Sequence, residues 1–388
     1  MMSEKIFENI ATPTDTQDFR DLSSTVVAQS PSGELEATNR PLPRYSTPLR
    51  TARRIRSFRP IIMIFMMFLS LASGSLFAQL TGSVTLGTRY SDNVFQLSEN
   101  DLSRFDDEHS SLDFVKTSDD MILDTRIELA YPMHYRWWKI TPSVIGNISQ
   151  AVSNTEKYRR DASVKLRVDR YYWNLSAQYS YNPHIYYRNF NDADGSGNSE
   201  EYCYSRNGYR ADIAVKPIKN TTLKGNFRIE DYFYNQYFTE ADGQALTGGL
   251  GVNYRFPVFS LDCGYSYRSF TNDNKVDTDD ASYESNIYQG KITLPKMQLS
   301  DKGTTKWQPS LGINYEQRYY QGNDSWYGGR ADFTYTMNAG FDLIFPSRWE
   351  IGLDYSHIFR NVESDNSSVL QSKEYGENRL GANLNYKF

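Results

Sequence analysis

Four His, two Cys and 89 Lys, Arg, Asp and Glu residues carry the chemistry available to this 388-residue chain. General acid–base or nucleophilic catalysis needs a His within hydrogen-bond reach of a Ser, Cys or carboxylate, with a third group to orient it. His109 falls in a polar stretch, His134 beside a turn, His184 directly after Pro183, and His357 in alternation with Tyr355 and Phe359. None has a Ser or acid partner in register, and neither metal-ligand nor phosphate-loop spacing is present. The chain is therefore not expected to be an enzyme, with no catalytic residue, cofactor site or metal site. Cys203 and Cys263 make no framework of paired spacings and are expected to stay unpaired.

The charged residues are patterned in a different way. Lys165, Arg167, Arg210, Lys216, Lys224 and Arg228 stand at every second position of their segments, tempered by Asp161, Asp169, Asp212 and Glu230. Further along, Glu316, Asp332, Asp342, Glu350 and Asp354 keep the same spacing, partly offset by Arg318 and Arg330. Charges at every second residue of a strand share one face, which must be wet. The opposite positions are apolar: in Met121–Tyr131, Met121, Leu123, Ile127 and Leu129 oppose Asp124, Arg126 and Glu128.

Fourteen segments with this period of two are expected to be strands. They are Thr81–Phe95, Met121–Tyr131, Trp138–Val152, Ala162–Arg170, Trp173–Tyr187, Tyr204–Lys216 and Thr221–Tyr234 in the first half. In the second half come Ala245–Phe256, Val258–Phe270, Tyr283–Leu294, Trp307–Tyr320, Arg330–Phe345, Trp349–Arg360 and Asn378–Phe388. Long polar connections follow the odd strands and short ones the even strands, except Pro295–Lys306. Trp137, Trp138, Trp173, Trp307 and Trp349 all lie beside short turns, while Tyr186, Tyr187, Tyr232, Phe233, Tyr234, Tyr319 and Tyr320 gather at the other strand ends. Two aromatic belts around an even number of strands are the marks of a transmembrane antiparallel up-and-down β-barrel, with short periplasmic turns and long extracellular loops. A mean hydropathy of −0.64 would contradict a helical membrane bundle but suits a wall that meets lipid at every second residue.

Arg53, Arg54, Arg56 and Arg59 precede the apolar run Ile61–Ala72, IIMIFMMFLSLA, and small residues lead on to Ala78. A basic region, a short apolar core and a small-residue exit make residues 53–78 a Sec-type signal peptide, cleaved after Ala78 or nearer Ser75. Residues 1–52 are expected to be a disordered extension or to lie ahead of the true start, near Leu49, and residues 79–388 to be the barrel. Cleavage leaves a mature chain with a net charge of about −7, an acidity that argues against nucleic acid as a partner.

The final strand ends with Tyr386 and Phe388 on the apolar parity, with Leu380 and Leu384 in phase. It resembles the closing strand of bacterial outer-membrane β-barrels, the assembly signal of that family. The stretch RYSDNVF, Arg89–Phe95, is similar to the first-strand Tyr-x-Asp-Asn pattern of outer-membrane β-barrel porin families, including those linked to exopolysaccharide systems, through Tyr90, Asp92, Asn93, Val94 and Phe95. These resemblances imply a Gram-negative cell outer membrane, with its lipids, lipopolysaccharide and barrel assembly machinery as partners. They imply transport by a porin-like channel, passing small polar solutes through a charged aqueous lumen; polysaccharide or other export, and a closed scaffold without transport, are the alternatives. Lys165, Arg167, Arg210, Lys224 and Arg228 against Glu316, Asp332, Asp342 and Asp354 are the expected lumen lining, either a field across the pore or local pairs that knit the wall. The acidic loops, with Asp101, Asp106, Asp107, Glu108, Asp113, Asp119 and Asp120 in the first and Asp273, Asp277, Asp279 and Asp280 in the fifth, are expected to be solvated, with divalent-cation binding the sharper alternative.

Overall fold

The computed structural model describes residues 80–191, 198–273, 280–299 and 304–388. The expected extension and signal peptide, and Asp277 and Asp279, lie outside the described residues. In chain order the elements are β1 (Thr81–Ser91), α1 (Glu99–Asp106), β2 (Asp120–Ala130), β3 (Met133–Tyr135), β4 (Trp138–Ala151), β5 (Tyr158–Arg170), β6 (Trp173–Asn191), β7 (Ser199–Val215) and β8 (Thr221–Tyr234). They continue with β9 (Gly243–Arg255), β10 (Ser260–Asn272), β11 (Tyr283–Thr293), β12 (Met297–Gln298), β13 (Lys306–Tyr320), β14 (Ala331–Ile344), β15 (Trp349–Glu363), α2 (Ser367–Lys373) and β16 (Tyr375–Lys387). The short β3 and β12 sit on β4 and β13, and the other fourteen strands pair antiparallel with their neighbours in sequence order. β1 meets β16 from Ser83↔Lys387 to Ser91↔Arg379, so the sheet closes on itself as a fourteen-stranded all-β barrel. Closure gives each of the fourteen barrel strands a partner on both sides.

Register fixes which residues share a face, because side chains alternate across a strand. Facing into the barrel are Arg89 opposite Gly381, Asp124 opposite Ser149, Lys165 opposite Gln178, Arg210 opposite Arg228 and Arg318 opposite Asp332. On the other parity Leu86, Leu123, Ile127, Ile148, Leu166, Leu175, Ile213, Leu223, Leu250, Leu311, Ile313, Met337, Leu353 and Leu380 are all exposed, forming an apolar outer belt. Across β10, β11, β13, β14 and β15, Tyr265, Tyr288, Tyr315, Tyr335 and Phe359 stand directly opposite one another on that outside, with ring centroids 4.4–6.2 Å apart.

The strand boundaries differ from the sequence expectation at the loop end. β1 stops at Ser91 rather than Phe95, because Asn93 turns the chain: its Nδ2 donates to Leu97 O at 2.8 Å and its Oδ1 accepts from Leu97 N–H at 2.8 Å. β5, β7 and β16 begin earlier than expected and β15 runs further, since the inward face stays occupied by packed side chains up to the rim. The third connection is correspondingly short, residues 152–157, and is folded around Asp120, whose carboxylate accepts from the backbone N–H groups of Val152, Ser153 and Asn154.

Candidate functional site

The five Trp residues of the expected girdle stand at the short-turn end. Trp137 is exposed in the β3–β4 turn, and Trp138, Trp173 and Trp349 open their strands, while Trp307 is the second residue of β13. Trp138 meets Trp173 at 5.4 Å, Trp307 meets Phe341 at 5.5 Å, and Trp349 meets Tyr386 at 4.6 Å. Phe388 exchanges two backbone hydrogen bonds with Gly82, at 2.9 and 3.0 Å, and its ring lies over that glycine. Any side chain at position 82 would collide with the ring, so Gly82 and Phe388 fit together as the lower end of the seam.

The second expected belt is a different structure. Phe233 and Tyr319 keep the outer parity, Tyr319 being exposed, whereas Tyr232, Tyr234 and Tyr320 lie on the inward parity, opposite or in line with Glu230, Arg206 and Asp332, and pack with Tyr202, Phe238, Phe270 and Tyr283 into a buried cluster inside the loop end. Their parity, shared with the charges below them, is the sequence signal that the belt expectation overlooked.

The inward charges form pairs two residues apart along single strands. Arg167 donates to Asp169 at 2.8 Å, Arg210 to Asp212 at 2.8 Å, Arg330 to Asp332 at 2.7 Å and Arg379 to Glu377 at 2.6 Å. Arg318 and Glu316 are 3.0 Å apart, Arg228 and Glu230 3.8 Å. Cross-strand pairs complete the ladder: Lys224 with Asp262, Arg89 with Asp124 at 3.2 Å, and Arg360 with Asp332 at 3.6 Å. Lys165, Asp342 and Asp354 face the lumen without an ion pair among the described residues. The structure thus sets Lys165 on β5 and the two acids on β14 and β15, nearly opposite one another around the wall.

Hydration of this ladder changes along the barrel axis. Near the short turns Arg126 and Glu128 are 41% and 34% exposed, whereas at the loop end Arg330 and Asp332 are 0% and 2%. The charges near the short turns are open to solvent, and those at the loop end are buried.

Several segments fill the loop end: Arg330 lies under the Tyr320 ring and 3.6 Å separates Arg360 from Asp332, the aromatic cluster around Tyr234 packs beside them, and the first connection, residues 92–119, folds in from the rim. Val94, Phe95, Leu97, Leu112 and Val115 pack with Tyr186 of β6 in a second buried cluster. Asp101 of α1 reaches Arg188 at 3.6 Å, Gln96 donates to Glu377 at 3.2 Å, and α1 touches α2. The Tyr-x-Asp-Asn residues act as its fasteners. Tyr90 donates to Asp119 at 3.0 Å, Asp92 accepts from the Asn378 N–H and side chain at 2.7 Å each, and Asn93 makes the turn described above. From the facing connection Lys157 donates to Val94 O at 2.9 Å, with its Nζ 4.3 Å from the Phe95 ring centre. Burial, and the nearby Arg188, push the Lys157 ammonium down to about 7. On the other side of the mouth Lys373 of α2 is buried over Trp326, and burial beside Arg188, Arg330 and Arg360 pushes its ammonium well below the usual lysine value.

No protein-family model matches the chain, and no curated protein matches it in sequence. Solved structures do share the general shape. A bacterial polysaccharide outer membrane secretin aligns at a TM-score of 0.42 and 10% identity, over 79% of this chain and 98% of that one. An anion-selective porin from Comamonas acidovorans aligns at 0.41 and 9%, over 80% and 98%, and the outer membrane channel DcaP of Acinetobacter baumannii at 0.41 and 12%, over 80% and 96%. Likenesses this distant say nothing about what the wall admits, which its own geometry must supply.

Proposed function

We propose that the chain is an outer-membrane β-barrel that passes small polar solutes through a charged lumen, with a mouth that its first loop closes. The observation that carries this reading is the two-faced wall, apolar on the exposed outside and hydrated and charged inside the lower half. A Lys or Arg facing hydrocarbon at mid-depth costs about 2–4 kcal/mol, so the sorting of charge to one parity has an energetic cause only if the outside meets lipid. The Trp ring at the short turns then marks the periplasmic interface, and the loop end, with its acidic first loop, faces lipopolysaccharide. Tyr386 and Phe388, at the seam, are the residues assigned to contact with the assembly machinery.

The buried mouth favours a second reading, a closed scaffold without transport. One experiment separates the two. Purified barrel and a variant in which Val94–Val115 is replaced by a short Gly-Ser linker are compared in planar bilayers, with heat-dependent gel migration confirming that both are folded. Brief or small conductance in the native chain and sustained steps in the variant support a gated channel. Silence in both makes the protein a scaffold.

A further inference from the structure

We propose that His184, Glu201 and Cys203 form a site for a borderline-soft divalent metal ion, Zn²⁺ first among them, at the loop ends of β6 and β7. One donor atom from each residue lies within 4.8 Å of the other two. Imidazole nitrogen, thiolate sulfur and carboxylate oxygen are all zinc ligands, at about 2.0–2.3 Å in tetrahedral geometry. Donors around a bound ion are therefore roughly 3.3–3.8 Å apart, and side-chain rotation over about 1 Å closes the set.

Two features show that the place is built. The first is backbone irregularity. β6 pairs with β7 as Asn182↔Arg206 and then as Ile185↔Tyr204, with register shifts between Asn182 and Ile185 and again between Tyr186 and Arg188. An uninterrupted ladder would put His184 opposite the inward Tyr204. The extra residue removes it from that face and brings it to Glu201 and Cys203, which share a face two residues apart. Bulges that re-aim one side chain are common beside functional sites.

The second feature is the state of the donors. The Tyr158 ring stacks on the His184 imidazole at 4.8 Å and 11°, fixing its plane, while Nδ1 is shielded from solvent and has no hydrogen-bond partner among the described residues. Asn235 brackets the other two ligands. Its backbone N–H donates to Cys203 O at 3.0 Å, and its Nδ2 donates to Glu201 O and, at 3.4 Å, to the Cys203 sulfur. An N–H donor on a sulfur ligand orients it and stabilises the thiolate. Glu201 is exposed, so the ion enters from solvent, and three protein ligands leave a fourth position for water. Binding replaces the Cys203 S–H bond with a sulfur–metal bond and releases one proton to solvent, so affinity rises with pH.

The test uses folded barrel in detergent micelles, titrated with Zn²⁺ by calorimetry and with Co²⁺ as an optical probe of thiolate ligation. The expected result is saturable binding of a single ion per chain and a sulfur-to-cobalt charge-transfer band. Cys203→Ser should abolish the band, and both Cys203→Ser and His184→Ala should weaken Zn²⁺ binding by about tenfold or more. Cys263→Ser should keep both signals, and unchanged heat-dependent gel migration identifies the variants that still fold. Absence of saturable binding in the native chain, or native affinity retained in folded Cys203→Ser and His184→Ala, overturns the proposal.

Discussion

Lys157 ties the first loop down with a charge the mouth disfavours. Its Nζ sits against Phe95 and Val94 O, with Arg188, Arg379 and Glu377 as the charged groups that bear on it. When the loop is docked the ammonium titrates near 7; when the loop is released and solvated it returns towards its ordinary 10.5. Above the released value the lysine is neutral in both states and pH has no effect. As pH falls from about 10.5 to about 7 the released state takes up the proton first, and docking weakens by about 1.4 kcal/mol per unit. Below about 7 both states are protonated and the dependence stops. Conductance of the native barrel should therefore rise as the bath is taken from about pH 9.5 to about pH 7.5. Lys157→Met, which keeps the apolar stem but not the amine, should flatten that rise. An unchanged pH profile in Lys157→Met would show that another group controls the loop.

Between the residues and the barrel stand the hairpins, and at this scale the two ends of each strand obey different rules. β9 faces inward with Gly243, Ala245, Thr247, Gly249 and Gly251, small side chains that leave room for their neighbours. A Cβ at Gly243 would stand 2.6 Å from the Phe270 ring and 2.6 Å from Thr271 O, a backbone atom that cannot step aside, while a Cβ at Gly248 on the other face would meet nothing within 4 Å. Gly243→Ala should lower the free energy of unfolding in denaturant titrations by about 1–3 kcal/mol, and Gly248→Ala should leave it within about 0.5 kcal/mol of the native chain. Equal effects would mean that the aromatic cluster is loosely packed.

The same contrast explains what the sequence revealed. Alternation such as Val164, Leu166, Val168 against Lys165, Arg167, Asp169 is enforced along every strand by the two environments, and so all fourteen strands were legible. The in-strand pairs were also legible, since Arg-x-Asp and Glu-x-Arg put opposite charges on one face. The plug was not. Val94, Phe95 and Leu97 continue the apolar texture of β1, and only the hydrogen bonds of Asn93 show that they have left the wall. Nor was the convergence of His184 on Glu201 and Cys203, because a bulge shifts register without leaving a period in the residues around it.

For the whole molecule, the proposed channel raises the question of what field the inward wall sets across the lumen. Paired charges two residues apart cancel over about a Debye length, about 8 Å at physiological salt, and contribute to the wall more than to the lumen. Inward charges without an ion pair among the described residues shape the remainder: Lys165 on one side, Asp342 and Asp354 towards the other, with Lys291 of β11 acting on Asp342. Such a field orients a dipolar solute across the axis and biases ion passage by the sign of the group removed. In the loop-replaced variant, reversal potentials under a salt gradient should move towards anions for Asp342→Asn and Asp354→Asn, and towards cations for Lys165→Gln. The shifts should shrink at about 1 M salt, where screening falls to about 3 Å. Reversal potentials that ignore all three substitutions at low salt would leave the ladder as wall mortar alone, and the transverse field would be discarded while the barrel and its gate remained.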